Sequence, residues 1–442
     1  MERSSVWLAA TLAALSLSGA PAAAHRAEGV HVSLGSVAVE LGGQVRLRFE
    51  DDQAFDVRGY RPASDDHFLL SRVMLDAAVR LSPRHRFFLE LRDAHETGSY
   101  LDAEDFPRNN PFSDTLDIRQ LFYEGLDLAG TGVSVRLGRQ QISYGDQRVF
   151  GPGQWGNTGR WAWDAALVNV KRSRVDADVW VGRPVRNRPD RWPNVSVPEP
   201  IVATVYARML KLPMRLDLFY VHKGDASGTT AGETGAGALR SHSLGFQTEG
   251  TRGRLDYALT GVMQRGVWGP DQIRAGGASA TLGIRVKTPW QPRIRTVFTW
   301  GSGDHDPRDG VHGTFDGVVG GADIAFYGYC NLFFWANLWD REVQVLLRPA
   351  GRLDVYLQAH SFALASPRDA WWSTSLSAVR RDPTGASGTD LGGEIDVRAV
   401  YRIRPDVELM AGLGYFRPGA YVSRTGASRN ALWLTAQTTW SW

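Results

Sequence analysis

Apolar and polar residues alternate at period two in segment after segment of this chain, and no long segment repeats near the 3.6 residues of a helix. Successive side chains of a strand point to opposite faces, so each such segment reads as a strand with one oily and one wet side. In QVRLRFE, Val45, Leu47 and Phe49 share one face, and Gln44, Arg46, Arg48 and Glu50 share the other. In SRVMLDAAVRL, Val73, Leu75, Ala77, Val79 and Leu81 oppose Arg72, Asp76 and Arg80. ADVWV, ASATLGIRVK and LDVYLQAH repeat the pattern, and the chain ends on it, with Trp440 and Trp442 in the apolar phase and Thr439 and Ser441 in the polar one. Roughly eighteen segments qualify, most near the ~10 residues that a tilted membrane strand needs. They cover 44–50, 69–81, 85–96, 115–127, 131–141, 162–172, 175–184, 201–211, 213–223, 241–250, 253–265, 277–288, 291–301, 341–349, 352–363, 391–403, 406–416 and 431–442.

The connections alternate in length. Ser173-Arg174, Thr251-Arg252, Pro289-Trp290, Ala350-Gly351 and Arg404-Pro405 are short, whereas 51–68, 97–114, 142–161, 184–200, 224–240, 302–340 and 364–390 are long. Bacterial outer-membrane barrels have short periplasmic turns and long outer loops, and an even strand number returns both termini to the periplasm. The expected fold is therefore all-β: a transmembrane antiparallel β-barrel of about 18 strands with short periplasmic turns and long extracellular loops. A propeller or solenoid would show one repeating period, and none is visible. The mean hydropathy of −0.26 looks soluble, but a barrel hides half of each strand in a polar lumen. The 48 glycines and 16 tryptophans suit tight turns and interfacial girdles. Trp161, Trp163, Trp300, Trp433, Trp440 and Trp442 are the girdle candidates.

Residues 1–24 read as a secretory signal peptide, with an apolar run from Val6 to Leu17 and a small-residue cleavage site at Ala22-Ala23-Ala24. Residues 25–442 read as a single barrel domain, because no hinge, repeat or charge block divides them. The expected location is the bacterial outer membrane after signal cleavage, with outer-membrane lipid around the barrel. Net charge is +3 with signs interspersed, which does not describe a nucleic-acid partner. Cys330 is the sole cysteine, excludes an internal disulfide and reads as a small buried hydrophobe.

Against this frame one stretch stands out: LGRQQISYGDQRVFGPGQWGNTGRWAWDA, from Leu137 to Ala165, turns from a strand into a glycine-rich, charged loop. It resembles the signature region of the alginate-export family of outer-membrane barrels. LRFE at Leu47–Glu50, GSGD at Gly301–Asp304, GGEIDVRAVY at Gly392–Tyr401 and YFRPGAY at Tyr415–Tyr421 resemble other parts of that family. The resemblance implies an eighteen-stranded monomeric barrel with an arginine-lined lumen, and in the alginate exporter passage of an anionic uronate polymer. The YGDQR form, Tyr144–Arg148, resembles the wider family, so small carboxylates stand beside the polymer as solutes. An exporter would also work with periplasmic export partners.

Strand phase places Arg46, Arg48, Arg72, Arg92, Arg119 and Arg398 in the lumen, with Glu50, Asp76, Glu90, Glu394 and Asp396 in the same phases. Arginines lining a pore focus a positive field and grip carboxylates bidentately. The competing reading is a network that only neutralises lumen acids across strands. On strand 131–141, Val133, Val135 and Leu137 face lipid and Ser134 and Arg136 face inward, which would point Arg139 at lipid. Either Arg139 sits at the strand's outer end, or Gly138 marks a bulge that turns it inward, which glycine in a strand favours. Asp146 and Arg148 are expected to form a narrowed, charged mouth with Trp155 packing the fold, or else a local brace. All nine residues, Arg46, Arg48, Arg72, Arg92, Arg119, Arg139, Asp146, Arg148 and Arg398, are the pore-lining candidates. Asp304, Asp306 and Asp309 mimic a calcium loop but lack its distant glutamate. No nucleophile elbow or paired-histidine motif occurs, and Ser241-His242-Ser243 and His360-Ser361 read as ordinary strand residues. An outer-membrane hydrolase is the third reading, and the expectation is a passive channel with no catalysis and no cofactor.

Overall fold

The computed structural model describes residues 29–442 apart from 36, 59–64, 107–108, 231, 233, 321–325 and 375, so the expected signal segment lies outside the described residues. Eighteen strands, each antiparallel to its neighbours, make one closed sheet. In chain order they are β1 (Val37–Gln53), β2 (Asp66–Ser82), β3 (His85–Thr97), β4 (Asp114–Gly125), β5 (Val133–Gln140) and β6 (Trp163–Lys171). Next come β7 (Val175–Pro184), β8 (Ile201–Met209), β9 (Arg215–Asp225), β10 (Leu239–Arg252), β11 (Leu255–Trp268) and β12 (Asp271–Arg285). The circuit ends with β13 (Arg293–Gly301), β14 (Leu338–Ala350), β15 (Leu353–Ala363), β16 (Asp390–Arg404), β17 (Val407–Pro418) and β18 (Ala431–Ser441). β18 pairs with β1 from Gln44↔Ser441 to Gln53↔Leu432, which closes the barrel. A short strand, Val30–Leu34, pairs with the first residues of β1 and continues the sheet beside them. Closure leaves no strand edge unpaired, which a chain in hydrocarbon requires.

Each of the eighteen expected segments coincides with one strand. The main differences are at strand ends: 44–50 is the middle of Val37–Gln53, and 277–288 begins later than Asp271–Arg285. At 271–276 the exposed residues, Gln272 and Arg274, are polar, so this part of the strand does not read as a lipid-facing segment. One outer connection is short: β11 and β12 are joined by Gly269 and Pro270 alone, so this hairpin stands as a tall ribbon among long loops.

Exposure follows the alternation. Leu47 and Phe49 are 43% and 45% exposed on the outside, while Arg46 and Arg48 between them are 5% and 2% exposed inside. Leu75, Val179, Val181, Leu282 and Ile395 continue the outer apolar belt. Among the described residues no helix is long and apolar enough to cross a membrane; the strands do so.

The hydrophobic core of this barrel lies inside it. Loops that leave the outer rim turn back and bury aromatic residues against the wall. Phe333 of the 302–337 loop packs on Phe362 of β15 at 4.1 Å and on Phe416 of β17 at 5.5 Å. A six-residue helix, Ala420–Thr425, and two small strands at Trp371–Trp372 and Ala378–Arg380 complete the outer cap.

Candidate functional site

The loop between β5 and β6 enters the lumen. Tyr144 begins a tight turn in which the Gln147 N–H donates to the Tyr144 carbonyl at 3.0 Å. Gly145 has a left-handed φ of 58° there. A Cβ on it would lie 2.0 Å from Gln247 Oε1 on β10, so a larger residue would have to displace that side chain as well as hold the left-handed φ. The Tyr144 ring stacks on Tyr206 of β8 at 4.0 Å. Phe150 meets Tyr206 and Phe219 edge-on at 5.6 and 5.3 Å. These contacts anchor the start of the loop on the β8–β10 wall.

The rest of the loop crosses to the opposite wall and meets the arginines. On β1, Arg46 donates to the Gln154 and Trp155 carbonyls, both at 3.4 Å, and to Asn157 Oδ1 at 3.1 Å. Arg48 donates to the Trp155 carbonyl at 2.8 Å, pairs with Glu50 at 2.7 Å and lies over the Trp155 ring at 4.1 Å. On β2, Arg72 donates to the Gln154 carbonyl at 3.4 Å and to Gln44 Oε1 at 2.7 Å. On β3, Arg92 donates to the Thr158 carbonyl and Asp114, and to Asn187 Oδ1 at 3.0 Å. On β4, Arg119 donates to the Trp161 carbonyl at 2.9 Å. Five arginines on four successive strands thus hold the backbone of residues 154–161. A guanidinium carries five donors and no acceptor, and a glycine-rich loop exposes carbonyls to meet them. Neighbouring acids also contribute, through Glu50, Asp114 and Asp117.

A second inward loop, residues 302–337 between β13 and β14, locks against the first. Phe150 and Val319 form a parallel bridge, and the Trp161 indole donates to the Gly320 carbonyl at 3.1 Å. Arg148 is the joint. Its guanidinium lies 4.5 Å from the Phe326 ring, 5.5 Å from Tyr327 and 5.7 Å from Trp335, all on the second loop. It also reaches Thr299 Oγ1 of β13 at 3.3 Å and sits 3.5 Å from Asp146. Burial works to lower the Arg148 pKa, but Tyr327 and Asp146 outweigh it and hold the group above its ordinary value. Asp146 in turn accepts from the Arg148 backbone N–H at 3.0 Å and from Gln247 at 3.2 Å.

Arg139 departs from the expected bulge. The ladder runs without a register shift through Gly138, from Leu121↔Arg139 on one side to Arg139↔Asp164 on the other. Gly138 takes a φ of 122°, yet the phase set by Leu137 is kept. Arg139 therefore lies in the outward phase at the strand's outer end, gripping Asp164 at 2.8 Å and the Ile118 carbonyl at 3.1 Å. Arg398 on β16 lies inside, over the Tyr356 and Tyr329 rings at 4.5 and 5.4 Å. Asp304 accepts the backbone N–H groups of Asp306 and Gly313 and so braces its own loop.

Two features were not singled out from sequence. Asn157 is wholly buried, and its amide reaches the carbonyls of Ser71, His95 and Phe112 at 2.8 to 3.1 Å. Arg160 lies between the two inward loops, over Trp161 at 5.3 Å and Phe334 at 5.0 Å. Arg186 lies over the same indole at 6.0 Å. Burial, and then the neighbouring Arg186 charge, lower the Arg160 pKa to about 10. Among the described residues no carboxylate is in ion-pair range of Arg160. At pH 7 it stays charged and faces aromatic rings and a second cation. Below these loops a cavity of about 450 Å³ opens between Glu124, Arg136, Tyr144, Asn169, Asp178 and Arg208. Its arginines are paired, Arg136 with Glu124 at 2.5 Å and Arg208 with Asp178 at 3.1 Å.

A family model described as alginate export matches residues 37–434. No curated protein matches the sequence significantly. Solved structures with the same architecture include OccK8 (OprE) of Pseudomonas aeruginosa, 11% identical, with a TM-score of 0.59 over 91% of this chain and 98% of that one. OccK2 (OpdF) of the same organism, in complex with glucuronate, is 9% identical with a TM-score of 0.59 over 91% and 97%. OccK11 (OpdR), also from Pseudomonas aeruginosa, is 11% identical with a TM-score of 0.57 over 91% and 95%.

Proposed function

The chain belongs to the alginate export family, and we propose that it is a passive outer-membrane channel for small anionic solutes of uronate size. The observation that carries the anion preference is Arg160, a half-buried guanidinium beside Arg186 with two rings and no described carboxylate in range. A fixed positive charge in a narrow, low-dielectric passage raises the local concentration of anions. The indoles of Trp161 and Trp163, stacked at 5.3 Å, set an aromatic surface beside that charge. Carboxylate and sugar ring would each find a partner there. The two inward loops support a small solute, since they fill much of the outer lumen with packed side chains. The glucuronate bound by one structural neighbour is of this size. No step of bond chemistry is part of the proposal; the solute moves down its own gradient.

The second reading is passage of an anionic polysaccharide of the alginate type, which the family's description favours. It requires the 141–162 and 302–337 loops to leave the lumen. Liposome swelling separates the two. Entry of glucuronate faster than glucose, with no block by polyuronate, is the expected result for the first. Block of glucuronate entry by long polyuronate, but not by neutral glycan, would favour the second. Equal entry of glucose and glucuronate would remove the anion preference.

A further inference from the structure

On β14 to β16 the barrel wall carries a compact acidic group, built around a single histidine. Asp340 and Glu342 lie on β14, His360 on β15, and Glu394 and Asp396 on β16. In the ladders His360 stands directly across from Glu342 on one side and from Glu394 on the other. All five side chains face inward and all five are buried. Such a group of acids could be lumen filler. The histidine argues otherwise.

The two ring nitrogens of His360 have different surroundings. Nδ1 is 3.0 Å from Asp340 Oδ1, a hydrogen bond that fixes the ring and leaves Nε2 for another role. Nε2 has no hydrogen-bond partner, although the side chain is only 1% exposed. It points between two carboxylates, 3.6 Å from Glu342 Oε1 and 3.6 Å from Asp396 Oδ2. Asp340, Glu342 and His360 can each place a ligand atom within 4.8 Å of the others. Asp340 Oδ2 is also buried without a hydrogen-bond partner. A buried polar atom left unpaired is costly, and here the unpaired imidazole nitrogen is aimed between two carboxylates.

We propose that His360 Nε2, Glu342 and Asp396 form a seat for one divalent first-row transition ion, of which zinc is the representative. Bonds of ~2.0–2.2 Å to nitrogen and carboxylate oxygen place ligand atoms of one tetrahedral ion about 3.3–3.6 Å apart. The observed 3.6 Å separations lie at the upper end of that range. Asp340 takes the outer position, a carboxylate holding the far side of a ligating imidazole. One imidazole with two carboxylates suits zinc and its neighbours, whereas an all-oxygen set would suit magnesium or calcium. Arg295 faces Glu342 from β13, and the ion's two charges would compensate the remaining carboxylates. The seat also touches the inner loop: the Cys330 N–H donates to Glu394 at 2.8 Å, and the Tyr329 N–H to Asp396 at 3.4 Å. An occupied seat would therefore brace the loop that narrows the lumen.

The full chain, tag-free and in detergent, is stripped with EDTA and titrated with zinc. The expected result is one zinc per chain, retained through gel filtration. The His360→Gln and Glu342→Gln variants should bind at least about 10-fold more weakly, and Asp340→Asn about 10- to 100-fold more weakly, as loss of an outer partner does elsewhere. Variants are compared only after the heat-modifiable gel shift of a folded barrel is seen. If a variant fails to fold, wild-type protein loaded with cobalt decides: a visible absorption band of low-coordinate cobalt supports the seat. No retained zinc, unchanged binding in the folded variants, or a cobalt spectrum like that of the aqueous ion overturns the proposal.

Discussion

Asn157→Ala tests how the first inward loop is held. The Asn157 amide, with two hydrogens, serves the carbonyls of Ser71, His95 and Phe112, and its oxygen accepts from Arg46 at 3.1 Å. Truncation removes two donated hydrogen bonds and one charge-assisted one. At about 1 kcal/mol for each ordinary bond and somewhat more for the charged one, docking loses about 3 kcal/mol. Every 1.4 kcal/mol is a factor of ten, so the undocked fraction of the loop rises about 100-fold. The eighteen-strand ladder is untouched, and the barrel itself should fold. Single-channel recording in a planar bilayer reads the change directly. Wild-type protein should show one small, quiet conductance, and Asn157→Ala should show frequent steps to a larger one. A folded Asn157→Ala barrel with wild-type conductance and noise would refute the view that these contacts keep the loop in the lumen.

Further tests address other contacts. Gly145→Ala forces a left-handed residue and a clash with Gln247, which should cost about 1–2 kcal/mol from the backbone alone and make residues 141–162 more sensitive to protease. Arg139→Ala should leave the reversal potential unchanged, because Arg139 holds Asp164 in the outward phase; a shift toward cations would place it in the solute path. Acid should loosen the second loop through Asp316. Burial acts to raise this carboxyl, but Lys223 at 3.0 Å and the Gln264 amide at 2.7 Å prevail and hold it below its ordinary value. A carboxyl lowered in this way stabilises docking fully above the ordinary aspartate value, and the contribution fades as pH falls through its own lower value. Channel noise should be flat from neutral down to about pH 4 and rise below that, and Asp316→Asn should be noisy at neutral pH and flat in acid.

The strands were legible because lipid outside and water inside impose a period that each segment must obey on its own. Leu47, Phe49, Arg46 and Arg48 declare their faces within four residues. The fate of the long loops was not legible in this way, because it depends on partners far off in sequence. The arginine phases on β1 to β4 marked inward-facing donors, and the run after Leu137 marked a glycine-rich, charged loop. Each signal was visible; that they answered one another was not, since 82 residues separate Arg72 from Gln154. The Gly138 bulge failed for a related reason. Glycine there serves a φ of 122° and a close approach to the Leu121 carbonyl, 2.4 Å from where a Cβ would be, with no extra residue in the ladder. The acidic seat around His360 was hidden because its members come from three strands, and His360 looked like any lumen-phase residue.

The reversal potential across a bilayer with a tenfold KCl gradient tests the central claim most directly. With Arg160 charged and free of a described carboxylate, the wild-type channel should reverse toward the chloride equilibrium potential, and Arg160→Gln should move it toward zero. A wild-type channel that reverses toward potassium, or an Arg160→Gln channel with an unaltered potential, would contradict the account.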